Sequence, residues 1–357
     1  MSHSNRIKTL REILIEQKLD GFLVTRLINV RYLTGFSGSN GICLITNSDA
    51  FFMSDNRYEQ QAKDEVKEFS IHIGRGSLFD LIQELNINVS SQFGFESDTL
   101  TYNQFEKISK LYPNIKWRPY ERVIENLSIV KSQEEIGYIR KAAEMADRIF
   151  SDLVGLIHAG MRENEVAGEI IGRIKRMGGD RSAFEPIVAS GLRSVLPHGI
   201  ASEKLIEQGD LVVLDFGCVV NGYASDITRT IVIGNPSQEQ VKIYNIVREA
   251  QAQALRSVKA GVKCNELDAA ARELIKNAGY GEYFGHALGH GLGLDVHSEP
   301  RIATEIDHAI PEYAVITIEP GIYVPELGGV RIEDDVLVRK NHGELLTHAT
   351  RDFIEIS

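Results

Sequence analysis

The chain has 357 residues, 43% of them hydrophobic and 25% charged, with a net charge of −11. That length suits two domains and a large core, and the acidic balance argues against a nucleic-acid or anionic-membrane binder, which needs a basic face. The three cysteines, Cys43, Cys218 and Cys264, are odd in number and form no CxxC pair, which argues against a disulfide framework or a zinc–thiolate site and for a reducing, cytoplasmic setting.

The opening MSHSNRIKTLREIL lacks an apolar signal-peptide core, and no apolar run approaches the ~20 residues that span a bilayer. Ile7 to Gln17 carries Ile7, Leu10 and Leu14 at helical spacing. Strand-like runs follow at Gly21–Thr25, Gly41–Thr46 and Ala50–Met53. The GFSGSNG stretch from Gly35 to Gly41 lacks the Gly-Lys-Ser/Thr ending of a phosphate loop and reads as a flexible connection. Ser77–Leu85 and Thr101–Leu111 read as helices and Gln92–Phe95 as a strand, so the first ~125 residues alternate as an α/β domain does. Trp117 to Asn126 reads as irregular chain leading into a linker. The domains are expected at 1–126 and 127–357.

A long helix is expected from Ser132, where Ser132 and Glu135 form a capping box ahead of Ile136, Ile139, Ala143, Ala146, Ile149 and Leu153. AGMRENE (Ala159–Glu165) returns as AGVKCNE (Ala260–Glu266), each between two apolar helical stretches. The match points to a duplicated α/β half-domain with a cleft between the halves, a natural place for a site.

Leu211 to Ile233, LVVLDFGCVVNGYASDITRTIVI, has two β-branched runs around an Asn-Gly turn, the pattern of an antiparallel hairpin. Asp215 and Asp226 stand where core residues belong. An unpaired buried carboxylate is costly or takes up a proton. The hairpin alone leaves two readings open: a turn cap with a strand end at the surface, or a charged site. Cys218 beside it reads as a small core residue.

Further on, GHALGHGLGLDVHSEPRI (Gly285–Ile302) sets His286, His290 and His297 among glycines. AVITIEPGIY ends a buried-type strand on Glu319, and GGVRIEDDVLV puts Glu333 in an apolar run two residues after Arg331, on one strand face. Asp215, Asp226, Glu319 and Glu333, with His290 as nitrogen donor, are all expected on strands. Four carboxylates and an imidazole suit two divalent ions, manganese first and cobalt, zinc or iron as alternatives. No GxSxG elbow supports a serine nucleophile.

The order DFG, Asp226, GHGLGLDVH, IEPGIY, GVRIEDD resembles the pita-bread metallopeptidases, the family of Xaa-Pro aminopeptidase, prolidase and methionine aminopeptidase. GFSGSNG and SDNRYEQQA resemble the N-terminal domain of its Xaa-Pro branch. The resemblance implies an N-terminal α/β domain followed by a pita-bread domain of two pseudo-symmetric halves. It implies two divalent ions bridged by Asp226 and Glu333, one also held by Asp215 and the other by His290 and Glu319. Glu319 would take up the proton during hydrolysis before proline. His198, His286 and His297 would act as substrate-side catalytic histidines, Arg331 would pair with a ligand carboxylate, and the substrates would be Xaa-Pro dipeptides or peptides with proline second. A homodimer is implied as well. Arg301 resembles an arginine that meets a substrate carboxylate, and a surface ion pair is its other reading. Ser298 departs from the family, which often has Glu after the histidine matched by His297. Two rival readings are a catalytically silent binding protein on this fold and a metal-free hydrolase resembling creatinase.

Overall fold

The computed structural model describes residues 3–85, 87 and 92–357. The chain divides into two compact units, Met1–Ser128 and Ile129–Ser357.

The first unit runs α1 (His3–Glu16), β1 (Gly21–Val24), α2 (Leu27–Thr34), β2 (Ile42–Thr46), β3 (Ala50–Asp55), α3 (Glu59–Glu65), β4 (Ser70–Gly74), β5 (Gln92–Glu96), α4 (Tyr102–Leu111), β6 (Lys116–Tyr120) and α5 (Val123–Ser128). Its strands form one sheet in the order β4-β3-β2-β1-β5-β6, antiparallel where β2 meets β1 and β3 and parallel elsewhere. Leu23, Leu44, Met53 and Phe93 lie in its core.

Three expectations change here. Ser77–Leu85 contains a 3-10 helix, Leu78–Glu84, rather than an α-helix. Trp117–Asn126 is not irregular, since β6 and α5 occupy most of it. Pro119 lacks an N–H and suits an edge strand, and exposed Lys116 and Arg118 hide the strand's alternation. The glycine-serine loop is not a loose connection. Asn40 Nδ2 donates to Asp55 at 2.5 Å, Ser54 Oγ donates to the Asn40 carbonyl at 2.6 Å, and the Ser39 and Tyr58 hydroxyls meet at 2.6 Å.

The second unit runs α6 (Gln133–Val154), α7 (Glu163–Arg176), β7 (Arg181–Ser182), β8 (Ile187–Ser190), β9 (Leu211–Phe216), β10 (Cys218–Val220), β11 (Tyr223–Ala224), β12 (Ile227–Ile233), α8 (Gln238–Ser257), α9 (Cys264–Asn277), β13 (Gly289–Gly291), β14 (Ser298–Ile302), β15 (Val315–Ile318), β16 (Gly321–Val324), β17 (Gly328–Arg331), β18 (Asp334–Val338), β19 (Gly343–Leu345) and β20 (Ile354–Ile356). Ser132 caps α6: Glu135 Oε2 accepts from Ser132 N at 2.8 Å, and Ser132 Oγ accepts from Glu135 N at 3.3 Å. Among the described residues no helix is long and apolar enough to cross a membrane.

The sequence echo is a structural repeat. Gly160 and Gly261 both take the left-handed conformation, with φ of +95° and +85°. The next residues but one, Arg162 and Lys263, each start a helix and each make a lone bridge to a distant chain, at Leu205 and Ala309. In the first half α6 and α7 set Ile149, Val166 and Ile170 against Val212, Leu214 and Ile231 of the sheet β20-β12-β9-β8. In the second half α8 and α9 set Val247, Leu267 and Ile275 against Ile302, Ile316 and Val336 of the sheet β14-β13-β15-β18-β19. Each helix pair buries an apolar stripe on one sheet face, which leaves other faces free to carry polar groups.

Candidate metal centre

The hairpin forms as the Asn-Gly signal implies. β9 and β12 pair antiparallel with Thr228 opposite Asp215, and β10 and β11 turn through Asn221 and Gly222, both at positive φ. Asp215 and Asp226 are only 7% and 3% exposed, so neither caps a surface turn. Glu333 is 2% exposed.

Not all five acid and imidazole residues lie on strands. Asp215 is in β9 and His290 in β13, whereas Asp226 precedes β12, Glu319 follows β15, and Glu333 sits between β17 and β18. Strand ends are where side chains from different sheets can converge. The chain breaks its ladder between Arg331 and Glu333, yet both still reach Thr228. Thr228 Oγ1 donates to Glu333 Oε2 at 2.6 Å and accepts from Arg331 Nε at 3.1 Å.

His290 reaches the cluster because of its flanking glycines. A Cβ on Gly289 would lie 2.1 Å from the Thr317 carbonyl oxygen, and one on Gly291 would lie 1.9 Å from that of Glu299. Only a residue without a side chain lets β13 pass that close to its neighbours. Asp226, His290 and Glu333 thus present ligand atoms that all lie within 4.8 Å of one another. His290 Nε2 also stands 3.5 Å from Glu319 Oε1 and 3.8 Å from Asp226 Oδ2.

The electrostatics of this cluster call for a cation. His290 Nδ1 lies 3.0 Å from the Gly291 carbonyl, which can only accept, so Nδ1 carries the proton. Burial lowers the imidazole pKa to about 4, so the ring is neutral and Nε2 offers a lone pair. That lone pair faces carboxylate oxygens. Burial, then the Glu333 and Asp215 charges, push Asp226 well above the usual carboxylate range. Burial and the charges of Glu319 and Asp215 do the same to Glu333. Burial first, then Asp215 against the opposing pull of Arg331, raises Glu319 to about 8. Buried Asp215 Oδ1 and Asp226 Oδ1 have no hydrogen-bond partner among the described residues. Oxygen and imidazole donors that converge with two carboxylate oxygens left unpartnered fit divalent metal ions.

The supports around the cluster include residues that the sequence did not single out. Arg331 NH2 meets Asp215 Oδ2 at 2.6 Å, and its NH1 donates to the Tyr323 hydroxyl at 2.8 Å. Tyr323 in turn lies 2.9 Å from His286 Nε2. Asp335 Oδ2 accepts from Asp226 N at 3.0 Å and fixes that turn. Thr317 Oγ1 accepts from His290 N at 3.0 Å and donates to Glu319 Oε1 at 3.3 Å.

The outer histidines differ from one another. His286 Nδ1 is spent on the Ala287 carbonyl and Nε2 on Tyr323, and burial with the Arg331 charge lowers its pKa to about 4. Both ring nitrogens thus have protein partners, and the Nδ1 proton is directed at the Ala287 carbonyl. His198 is exposed and, with His286, Tyr283 and Tyr323, lines a cavity of about 380 Å³. His297 is exposed, its ring centroid 4.6 Å from that of His290. Ser298 Oγ is buried and has no partner among the described residues. Arg301 is 59% exposed and pairs with Glu305 at 2.9 Å, so its contacts are those of the surface reading.

The description "metallopeptidase family M24" matches residues 137–340, and "creatinase/prolidase N-terminal domain" matches residues 6–130. The chain belongs to metallopeptidase family M24. An Xaa-Pro dipeptidase of Pyrococcus furiosus is 42% identical over 98% of this chain and 99% of that protein. The structure of an Xaa-Pro dipeptidase from Bacillus anthracis superposes with a TM-score of 0.96 at 40% identity, covering 99% of this chain and 100% of that one. An X-Pro aminopeptidase from Thermotoga maritima gives a TM-score of 0.87 at 38% identity over 95% and 98%. The second unit is accordingly a pita-bread domain, and M24 membership implies divalent metal ions as cofactor.

Proposed function

We propose that this M24 chain is a dinuclear metallo-exopeptidase that hydrolyses the bond between an N-terminal residue and proline, acting first as an Xaa-Pro dipeptidase. The observation that carries the reading is the lone pair of His290 facing buried carboxylates, together with the Xaa-Pro specificity named for relatives near 40% identity. The unit ending at Ser128 is the N-terminal domain and the unit from Ile129 the catalytic one, two residues later than the boundary expected at 126/127. Asp215, Asp226, His290, Glu319 and Glu333 would hold the ions, with Asp226 and Glu333 serving both. Manganese is the first candidate, with cobalt, iron or zinc compatible with the same donors. When bound, the ions supply Lewis acidity, acidifying water and polarising the scissile carbonyl.

The chain's own residues do the rest. Glu319 accepts the proton of the attacking water and hands it to the departing proline nitrogen. His198 and His297, the exposed two of the three outer histidines, meet the substrate and the tetrahedral intermediate. His286 shapes the cleft and orients Tyr323. Arg331 holds Asp215 in place, as an outer partner does for a ligand carboxylate. Proline has no amide N–H and a fixed backbone angle, so peptidases that grip that N–H fail and a dedicated cleft is required. The three buried, unpaired cysteines support a cytoplasmic setting, and the family resemblance supports a homodimer.

The test compares hydrolysis of Xaa-Pro and Xaa-Pro-Xaa peptides, with and without chelator. Chelator-sensitive cleavage of the dipeptide is expected. Cleavage of the tripeptide alone would move the chain to the aminopeptidase side, and no metal above trace with activity intact would overturn the reading.

A further inference from the structure

Glu163 is the first residue of α7, where an acidic side chain ordinarily faces solvent and complements the helix dipole. Here it turns inward and is 0% exposed. Both carboxylate oxygens are spent on one stretch of chain. Oε1 accepts from Ser190 N at 2.7 Å and Ser190 Oγ at 2.9 Å. Oε2 accepts from Ser202 N at 3.0 Å, Ser202 Oγ at 2.6 Å and Arg193 Nε at 3.0 Å. Arg193 then crosses the same stretch, its NH2 donating to the Ile200 carbonyl at 2.7 Å. A single carboxylate thus ties residue 190 to residue 202, and the loop between them carries His198.

The His198 ring is exposed. Among the described residues no hydrogen bond aims its side chain, so its direction depends on the backbone beneath it. We propose that Glu163 is a positioning residue, a buried staple whose hydrogen bonds to Ser190, Ser202 and Arg193 fix the His198 loop at the rim of the cleft. His198's part in turnover rests on the Xaa-Pro hydrolase reading; the staple itself does not.

The second half carries the same device for its own histidine. Asp268 on α9 is 0% exposed and takes Arg272 in a fork, at 2.6 and 2.8 Å, with Leu288 N at 3.1 Å. Arg272 donates to the carbonyls of Phe284 and His286 at 2.9 and 2.7 Å. In each half, then, the helix that the repeated motif opens sends a buried carboxylate to the segment that presents a histidine to the cleft.

The test uses the full, metal-loaded chain and the variants E163A, E163Q, H198A and E163A/H198A. Losing a transition-state donor typically costs ~10²–10³-fold, so E163A should lose up to about 10²-fold in kcat/KM with its metal content unchanged. In the H198A background E163A should cost less than about twofold more, because residues acting as one unit are not additive. E163Q, which keeps the shape, should fall between E163A and wild type. Amide hydrogen exchange should accelerate over residues 191–201 in E163A and stay unchanged in β9 and β12. Independent, multiplying losses in the two backgrounds would overturn the proposal. So would unchanged exchange in the loop, whatever the activity. Failure of the wild-type chain to cleave any Xaa-Pro peptide would instead count against the hydrolase reading, and the exchange result would still decide the staple.

Discussion

Arg331→Met should destabilise the metal-free protein more than any surface substitution. Arg331 and Asp215 are paired at 2.6 Å with side chains 4% and 10% exposed. Among the described residues Arg331 is the one hydrogen-bond donor to Asp215 Oδ2, and Oδ1 has none. Methionine fills much of the same volume but leaves a buried carboxylate alone. Removing one partner of a buried pair typically costs about 3–5 kcal/mol. At roughly 2–4 °C per kcal/mol for a unit of this size, the melting temperature should fall by about 6–20 °C. A surface pair such as Lys63–Glu59, at 2.7 Å and more than half exposed on both sides, is worth only about 0–1 kcal/mol. The assay is calorimetry at pH 7 after chelation, so that bound metal does not mask the loss. Asp215→Asn combined with Arg331→Met removes the stranded charge along with its partner. The double variant should therefore lose less than the sum of the two single ones. A fall below about 2 °C for Arg331→Met, or strictly additive losses, would refute the argument.

Asp226→Asn and Glu333→Gln should each abolish turnover and lower bound metal by elemental analysis, whereas His297→Ala should keep its metal and lose about 10²–10³-fold in rate; an empty site in His297→Ala would make it a ligand. The pKa of His286 is lowered from its ordinary 6.5 to about 4, so the folded chain binds fewer protons than the unfolded chain between those values. Its contribution to stability is whole above pH 6.5 and drains away as pH falls towards 4, by up to about 3 kcal/mol. Urea unfolding of His286→Gln from pH 4.5 to 7.5 should show a flatter pH dependence than wild type, and equal slopes would contradict the assignment. Arg301→Ala should change KM for an Xaa-Pro dipeptide by less than about twofold. A rise of about 10–150-fold, the worth of a charged hydrogen bond, would put its guanidinium on the substrate carboxylate instead.

The centre was legible where the chemistry of a residue clashes with its surroundings. Asp215 and Asp226 stood out because β-branched runs flank them, and His290 because glycines do. The Ser132 cap and the Asn221–Gly222 turn were readable because each is written in adjacent residues. Tyr323 and Thr228 gave no such signal: each suits a strand as an ordinary β-former, and its role comes from partners about 8 to 105 positions away. Glu163 looked like an acidic residue at a helix start, and only its burial shows that it turned inward. β6 was missed because an edge strand with Lys, Arg and Pro lacks the alternation that marks a half-buried one.

The candidate ligand atoms come from both halves of the second unit. Asp215 and Asp226 belong to the hairpin of the first half, and His290, Glu319 and Glu333 to the second, so Asp226 meets Glu333 across more than a hundred residues of chain. A dication held there is a cross-link as well as a reagent: it closes a long loop, and neither half can open without releasing it. Binding only to the folded form at 100 times its dissociation constant adds about 2.7 kcal/mol. Thermal stability then becomes a gauge of how much of a preparation carries its metal, readable before any substrate is added.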